Sequence, residues 1–242
     1  MSEPLSIQTA VITGASRGIG RAIAEALGKQ KMRLVLLARS KDKLEEVATR
    51  VNELGGEGIV EECDFSNQES LQEAILSIKN KINKIDIFIS NAGAFLEKPL
   101  TDISLQEWER VMRINLTAPF LLYKEMMLIM KNQKSGGKII TIASSSSLKG
   151  YVNQSVYSAS KHGLLGLTRC LAIEGKPHNI HVNTICPGGV KTDFIKGSYC
   201  EKRVSKGPMI EPEDVAKLVL FLIQQKENVD IPEVVLNRFA PQ

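Results

Sequence analysis

The sequence is short of the features that mark membrane, metal or nucleic-acid proteins. No apolar run approaches the ~20 residues that span a bilayer. Its 31 Lys and Arg against 27 Asp and Glu leave a net charge of only +4. With no dense basic block, nucleic acid is not expected as a partner. The opening residues, Met1 to Gln8, lack the basic and apolar regions of a signal peptide, so the cytoplasm is the expected compartment. The four cysteines, Cys63, Cys170, Cys186 and Cys200, form none of the close pairs of zinc-ligand sets. A chain of 242 residues can rely on its core instead of disulfides. Cys63 and Cys186 fall in apolar runs, where inert buried thiols are common. His162, His178 and His181 have no carboxylate or thiol cluster beside them, so no metal site is expected.

What the chain does have is an end-to-end alternation of short apolar runs with longer amphipathic ones. Strand-like runs fall at Thr9–Thr13, Arg33–Ala38, 58–63, 85–90, 138–143, 181–186 and Glu233–Leu236. Several are unbroken Val, Ile and Leu, the pattern of strands covered on both faces. Helices are expected near 18–30, 41–54, 67–83, 103–131, 152–175 and 212–225. Ser66 or Asn67 can cap the third, and Pro119 should kink or bend the fourth. Such alternation implies right-handed crossovers and a parallel sheet. The expectation is a single doubly wound α/β domain over 1–242, with about seven mostly parallel strands and helices on both faces. The least patterned segment, 194–209, suits a substrate loop.

The first strand runs straight into Thr13-Gly14-Ala15-Ser16-Arg17-Gly18-Ile19-Gly20, and a helix follows at once. Glycines let a backbone turn tightly and approach a pyrophosphate, while the helix N-terminus offers free N–H groups. The spacing is G-x-x-x-G-x-G, not the commoner G-x-G-x-x-G. Gly14, Ser16, Arg17, Gly18, Ile19 and Gly20 are therefore candidates for holding a dinucleotide. The second strand ends in Ala38, Arg39 and Ser40, without the carboxylate that commonly binds the adenosine ribose of NAD. Arg39, joined by Arg17, offers guanidiniums to a 2′-phosphate instead. NADP(H) is the favoured cofactor and NAD(H) the weaker reading.

Tyr157 and Lys161 lie four residues apart in a helical stretch and so share one face. A phenol, with a pKa ordinarily near 10, is a poor acid or base at neutral pH, and an adjacent ammonium should lower that value. The pair is expected to move a proton on and off an alcohol oxygen. Ser144 opens a run of four serines, thirteen residues before Tyr157. A one-residue shift in strand register would put Ser145 in its place.

Together these landmarks resemble the short-chain dehydrogenase/reductase family over nearly the whole chain. The glycine turn is similar to the family's T-G-x-x-x-G-x-G. Asp64 matches the acidic residue after the third strand that contacts adenine. Asn91, Ala92 and Gly93 match the N-A-G after the fourth strand. Asn115 matches the helix asparagine of the proton-relay tetrad, and the spacing from Ser144 to Tyr157 is the family's. The stretch Pro187-Gly188-Gly189-Val190-Lys191-Thr192 resembles the P-G-x-V-x-T that closes over the nicotinamide. The resemblance implies a Rossmann-type fold and cofactor contacts from Asp64, Asn91, Ala92, Gly93, Tyr157, Lys161, Pro187, Gly188, Val190 and Thr192. It also implies that Tyr157 exchanges a proton with the substrate oxygen, Lys161 binds the nicotinamide ribose and Ser144 orients the carbonyl. Asn115 would hold a water leading from Lys161 to solvent.

The sequence departs from the family twice. Ser90 stands where many members have a first asparagine. The tail from Val229 to Asn237 replaces the frequent T-G-x-x-x-x-V-D-G-G, which bears on subunit contacts and the shape of the substrate pocket. The expected activity is hydride transfer between NADP(H) and a carbonyl or secondary alcohol, with a 3-oxoacyl thioester among the substrates. Phe95, Leu96, Leu148, Tyr151, Phe194 and Tyr199 are candidate pocket residues, and Trp108 is read as packing. The alternatives are a non-catalytic dinucleotide-binding regulator, or an epimerase or dehydratase on a related fold. By resemblance, a homo-oligomer (dimer or tetramer) is expected on the helices near 103–131 and 152–175.

Overall fold

The computed structural model describes residues 8–204, 207–226 and 228–239 of the 242. Residues 1–7 of the stretch read for a signal peptide, and 205 and 206 of the expected substrate loop, lie outside the described residues. Seven strands are present: β1 (Thr9–Thr13), β2 (Arg33–Ala38), β3 (Glu57–Glu62), β4 (Ile87–Ser90), β5 (Gly137–Ile142), β6 (Ile180–Pro187) and β7 (Glu233–Leu236). They form one sheet in the order β3-β2-β1-β4-β5-β6-β7, parallel at every pairing. This is the Rossmann-type arrangement expected from the sequence. The order reverses between β1 and β4, and beyond the carboxyl ends at such a switch point lies the crevice where open α/β sheets bind ligands.

The helices are α1 (Gly18–Gly28), α2 (Lys41–Glu53), α3 (Gln68–Lys81), α4 (Leu105–Met112), α5 (Ala118–Asn132), α6 (Ser155–Gly175), α7 (Tyr199–Val204) and α8 (Pro212–Ile223). Successive strand residues serve opposite faces. Ala10 and Ile12 join Ile23, Leu44 and Val215 of α1, α2 and α8. Val11 joins Leu71, Tyr123 and Leu164 of α3, α5 and α6. Every residue of β1 and β4 is buried, the terminal Thr9, Thr13 and Ser90 included, whereas β3 at one edge keeps Glu57 and Glu62 in water.

Two local expectations need correction, and a third is narrowed. The 103–131 stretch is not one helix bent at Pro119. Instead α4 ends at Met112, a π-turn spans Arg113–Thr117, and Pro119 sits in the first turn of α5. A first helical turn tolerates proline, but Pro119 has no N–H for the Asn115 carbonyl four residues back, so the irregularity falls on the turn before it. Asn67, not Ser66, caps α3 by accepting the Ser70 N–H at 3.0 Å. The 194–209 segment is also more ordered than a loop, for it holds most of a 3₁₀ turn, Asp193–Ile195, and all of α7. Among the described residues no helix is long and apolar enough to cross a membrane.

Candidate active site

A groove of about 1380 Å³ runs along the carboxyl ends of the strands. At one end the chain leaves β1 through the glycine turn, where Gly14 has φ +68° and Gly18 φ +53°. Those left-handed conformations favour glycine. The turn is pinned by the Gly14 N–H, which donates to the Leu37 carbonyl at 2.7 Å. A Cβ on Gly20 would run into the Gly14 carbonyl and come within 2.6 Å of the Asn91 amide, so this glycine permits close packing behind the groove. The Thr13 hydroxyl accepts the N–H groups of Asn91 and Ala92, and the Asn91 amide donates to the carbonyls of Thr13 and Gly14. Asn91 thus locks the end of β4 to the glycine turn. Thr192 closes over the turn from the far side, its Cγ2 lying 3.1 Å from where a Cβ on Gly18 would be.

Arg17 and Arg39 are both exposed on this part of the groove, with Ala38 beneath them. Burial alone would raise the Asp64 carboxyl. Hydrogen bonds from the Ser66 hydroxyl at 2.7 Å and N–H at 2.9 Å, with the Arg39 charge, hold it below the usual carboxylate range.

At the other end Tyr157 and Lys161 line the groove from α6, and Ser144 from the end of β5. Tyr157 and Lys161 are only 6% and 3% exposed. Ser144 stands within hydrogen-bonding reach of the Tyr157 hydroxyl. Ser145 accepts the Tyr151 hydroxyl at 3.0 Å, while Ser144 accepts the Ser146 N–H at 3.0 Å. Lys161 donates to the Ile142 carbonyl at 3.2 Å, and its Nζ stands 6.0 Å from the centroid of the Tyr157 ring.

The expected lowering of the tyrosine pKa does not emerge. Burial pushes the Tyr157 phenol up to about 12, against the pull of the Ser144 hydrogen bond, and the Cys200 thiol adds to the rise. Burial likewise brings Lys161 down to about 8. Desolvation disfavours the charged form of each and is the largest cause of both shifts.

Asn115 is fully buried and spends its side chain on the protein. Its oxygen accepts the Ala94 N–H at 2.7 Å, and its amide donates to the Ala94 carbonyl and to Ser160 Oγ. Ser160 in turn donates to the Tyr157 carbonyl at 2.7 Å, so Asn115 braces the chain leaving β4 against the helix that carries the tyrosine.

All the cofactor candidates line the groove except Gly20, which packs behind it. Phe95, Tyr151 and Phe194 line it too, and Phe95 stands edge-on to Tyr157 at 5.0 Å. Leu96, Leu148 and Tyr199 are not on the lining, and the last two face solvent at 42% and 65% exposure. Closeness in sequence to a strand's carboxyl end does not fix which way a side chain points. The sequence reading missed Gln154 and Cys200, both on the lining, and Glu97 behind them. Among the described residues no three His, Cys, Asp or Glu gather as metal ligands would.

Comparison with known proteins agrees with this geometry. A family profile described as short chain dehydrogenase matches residues 8–202. The 3-oxoacyl-(acyl-carrier-protein) reductase FabG of Aquifex aeolicus (strain VF5) is 35% identical, over 97% of this chain and 97% of its own. A metagenomic short-chain oxidoreductase in complex with NADP superposes with a TM-score of 0.84 at 33% identity, covering 97% of this chain and 98% of that one. An alcohol dehydrogenase from the archaeon Thermococcus sibiricus, complexed with 5-hydroxy-NADP, gives 0.86 at 31% identity with 96% of each chain covered.

Proposed function

The chain belongs to the short-chain dehydrogenase family of oxidoreductases, and from that premise we propose an NADP(H)-dependent enzyme acting on a carbonyl or secondary alcohol. The observation that carries the reading is the buried Tyr157 hydroxyl beside Ser144, in the same groove as Lys161 and the glycine turn. The residues suit a dinucleotide: positive-φ glycines at 14 and 18, the N-terminus of α1, and two exposed guanidiniums where a carboxylate would select NAD. The NADP and 5-hydroxy-NADP of the two structural relatives favour the same choice. When bound, the cofactor supplies or takes up the hydride.

The chain's own residues then handle the proton and the geometry. Tyr157, kept protonated by burial, donates to the carbonyl oxygen in reduction and recovers the proton from the alcohol in oxidation. Ser144 donates a hydrogen bond to that oxygen as negative charge develops. Lys161 holds the nicotinamide ribose. The Asn115 side chain is fully committed, so its part in the proton relay falls to the main-chain carbonyl that Pro119 cannot satisfy. Phe95 and Phe194 wall the site with apolar surface and keep water from it, which suits an acyl chain. A 3-oxoacyl thioester, the substrate named for the FabG relative, is the substrate class we place first.

In this reading 1–242 works as one catalytic domain, with 194–209 as its substrate segment. A homo-oligomer would cover Trp108, Phe120 and Leu128, exposed on α4 and α5. The test is NADPH oxidation against a panel of ketones and 3-oxoacyl thioesters. Tyr157→Phe should cut kcat about 10³-fold while NADPH still binds. Turnover that survives the substitution overturns the reading, and tight NADPH binding without turnover on any substrate favours a regulator.

A further inference from the structure

Between the catalytic serine and the substrate segment runs a chain of polar contacts that the chemistry above does not use. The Ser146 N–H donates to Ser144 Oγ at 3.0 Å, and the Ser146 hydroxyl donates to Gln154 Oε1 at 3.4 Å. Gln154, only 2% exposed, turns its Nε2 to Glu97 Oε1 at 3.4 Å. The other oxygen of Glu97 accepts the N–H of Cys200, in the first turn of α7, at 2.9 Å. First-turn N–H groups have no helical acceptor, and negative charge is favourable there, so one carboxylate meets both needs. Next to Glu97 the backbone is itself pinned, for the Lys98 N–H donates to the Asn153 carbonyl at 2.8 Å. Six residues before Cys200, Phe194 stands 6.0 Å from Phe95 and 6.2 Å from Tyr157. Where this segment lies therefore decides the wall facing the reacting hydroxyl.

We infer that Glu97, braced by Gln154, is a positioning residue that holds the segment from Phe194 to Lys202 over the Tyr157 site. It thereby sets affinity for the carbonyl substrate, leaving the chemical step to Tyr157, Ser144 and Lys161. Glu97 itself is not on the groove lining. The inference rests on the oxidoreductase reading of that site.

The test compares wild type with Glu97→Ala and Glu97→Gln, using NADPH and the ketone that wild type turns over best. Glu97→Ala should raise the ketone KM about tenfold, the worth of one charge-assisted hydrogen bond. Glu97→Gln, which keeps an acceptor oxygen, should raise it about threefold, and it carries the test if the alanine variant does not fold. In both, kcat and the NADPH Kd should stay within about twofold of wild type. Trypsin, cutting after the exposed Lys196 and Lys202, should nick the alanine variant faster at an unchanged Tm. Gln154→Ala should raise KM in the same way and add little to Glu97→Ala, because both break one chain. A wild-type KM and cleavage rate in the variants, or kcat falling in step with KM and Tm, overturns the inference. If wild type turns over no substrate, the activity reading falls by itself and the trypsin arm alone decides on the strut.

Discussion

At its glycine end the groove presents backbone and exposed charge, whereas at its tyrosine end it presents side chains withdrawn from water. Arg17 and Arg39 stand in solvent, with the left-handed glycines and the turn's N–H groups beside them. Tyr157, Lys161 and Asn115 are buried and held by Ser144, the Ile142 carbonyl and Ala94. Water screens charge at the first end, so residues there chiefly tune which ligand binds. At the second end desolvation sets the protonation states, and both groups of the expected acid/base pair are pushed toward neutrality.

The largest effect expected from that difference is on stability. Lys161 has a folded pKa of about 8 against an ordinary 10.5. Between those values the unfolded chain binds more protons than the native one, so stability rises with pH through that window. Below about pH 8 the native state carries the full cost of a buried ammonium, up to about 3 kcal/mol. Tyr157 acts later and in the opposite sense. With a folded value of about 12 against an ordinary 10, it makes the native state less stable above pH 10, where the unfolded chain ionises first. Denaturant unfolding of wild type and Lys161→Met should therefore show the substitution helping most near pH 7 and least near pH 10. A difference that stays constant over this range would mean that the tyrosine end is as wet as the glycine end.

A smaller effect, read in ligand choice, is expected at the exposed end. Ala38→Asp with Arg39→Ser removes one guanidinium and adds the carboxylate that suits a ribose hydroxyl. The ratio of NADPH to NADH affinity should fall about 10²-fold, with some loss of Tm from the carboxylate at the buried Ala38 position. An unmoved ratio in cofactor titrations would remove the assignment of this end to a 2′-phosphate.

The same contrast explains what could be read from the sequence. The glycine turn was legible because Gly14, Gly18 and Gly20 answer to the backbone beside them, and the strands because the middles of β1 and β4 are apolar on both faces. The tyrosine end was legible only as a set of residues. A four-residue spacing puts Tyr157 and Lys161 on one face but says nothing of how dry that face is, so the direction of the tyrosine shift was missed. That Ser145 accepts the Tyr151 hydroxyl while Ser144 stands beside Tyr157 could not be read from the run of serines. Glu97 and Cys200, 103 residues apart, meet only in the folded chain, and no local pattern signals such a contact.

The smallest expected effect belongs to Asp64, which lies between the two regimes, half-buried yet within reach of the Arg39 charge. Ser66 and Arg39 overcome the burial that would raise this carboxyl, and they leave its folded pKa below the ordinary value. A depressed carboxyl stabilises the fold above its ordinary pKa, and that contribution is lost as pH falls through the folded one. Asn keeps an oxygen able to accept from Ser66, so Asp64→Asn should cost about 1 kcal/mol or less at neutral pH. Urea titrations should also show a flatter loss of stability below about pH 4 in the variant. A cost of several kcal/mol would mean that Asp64 is as dry as Tyr157, and the division of the groove into a screened end and a desolvated end would then fail where the third strand meets the cofactor groove.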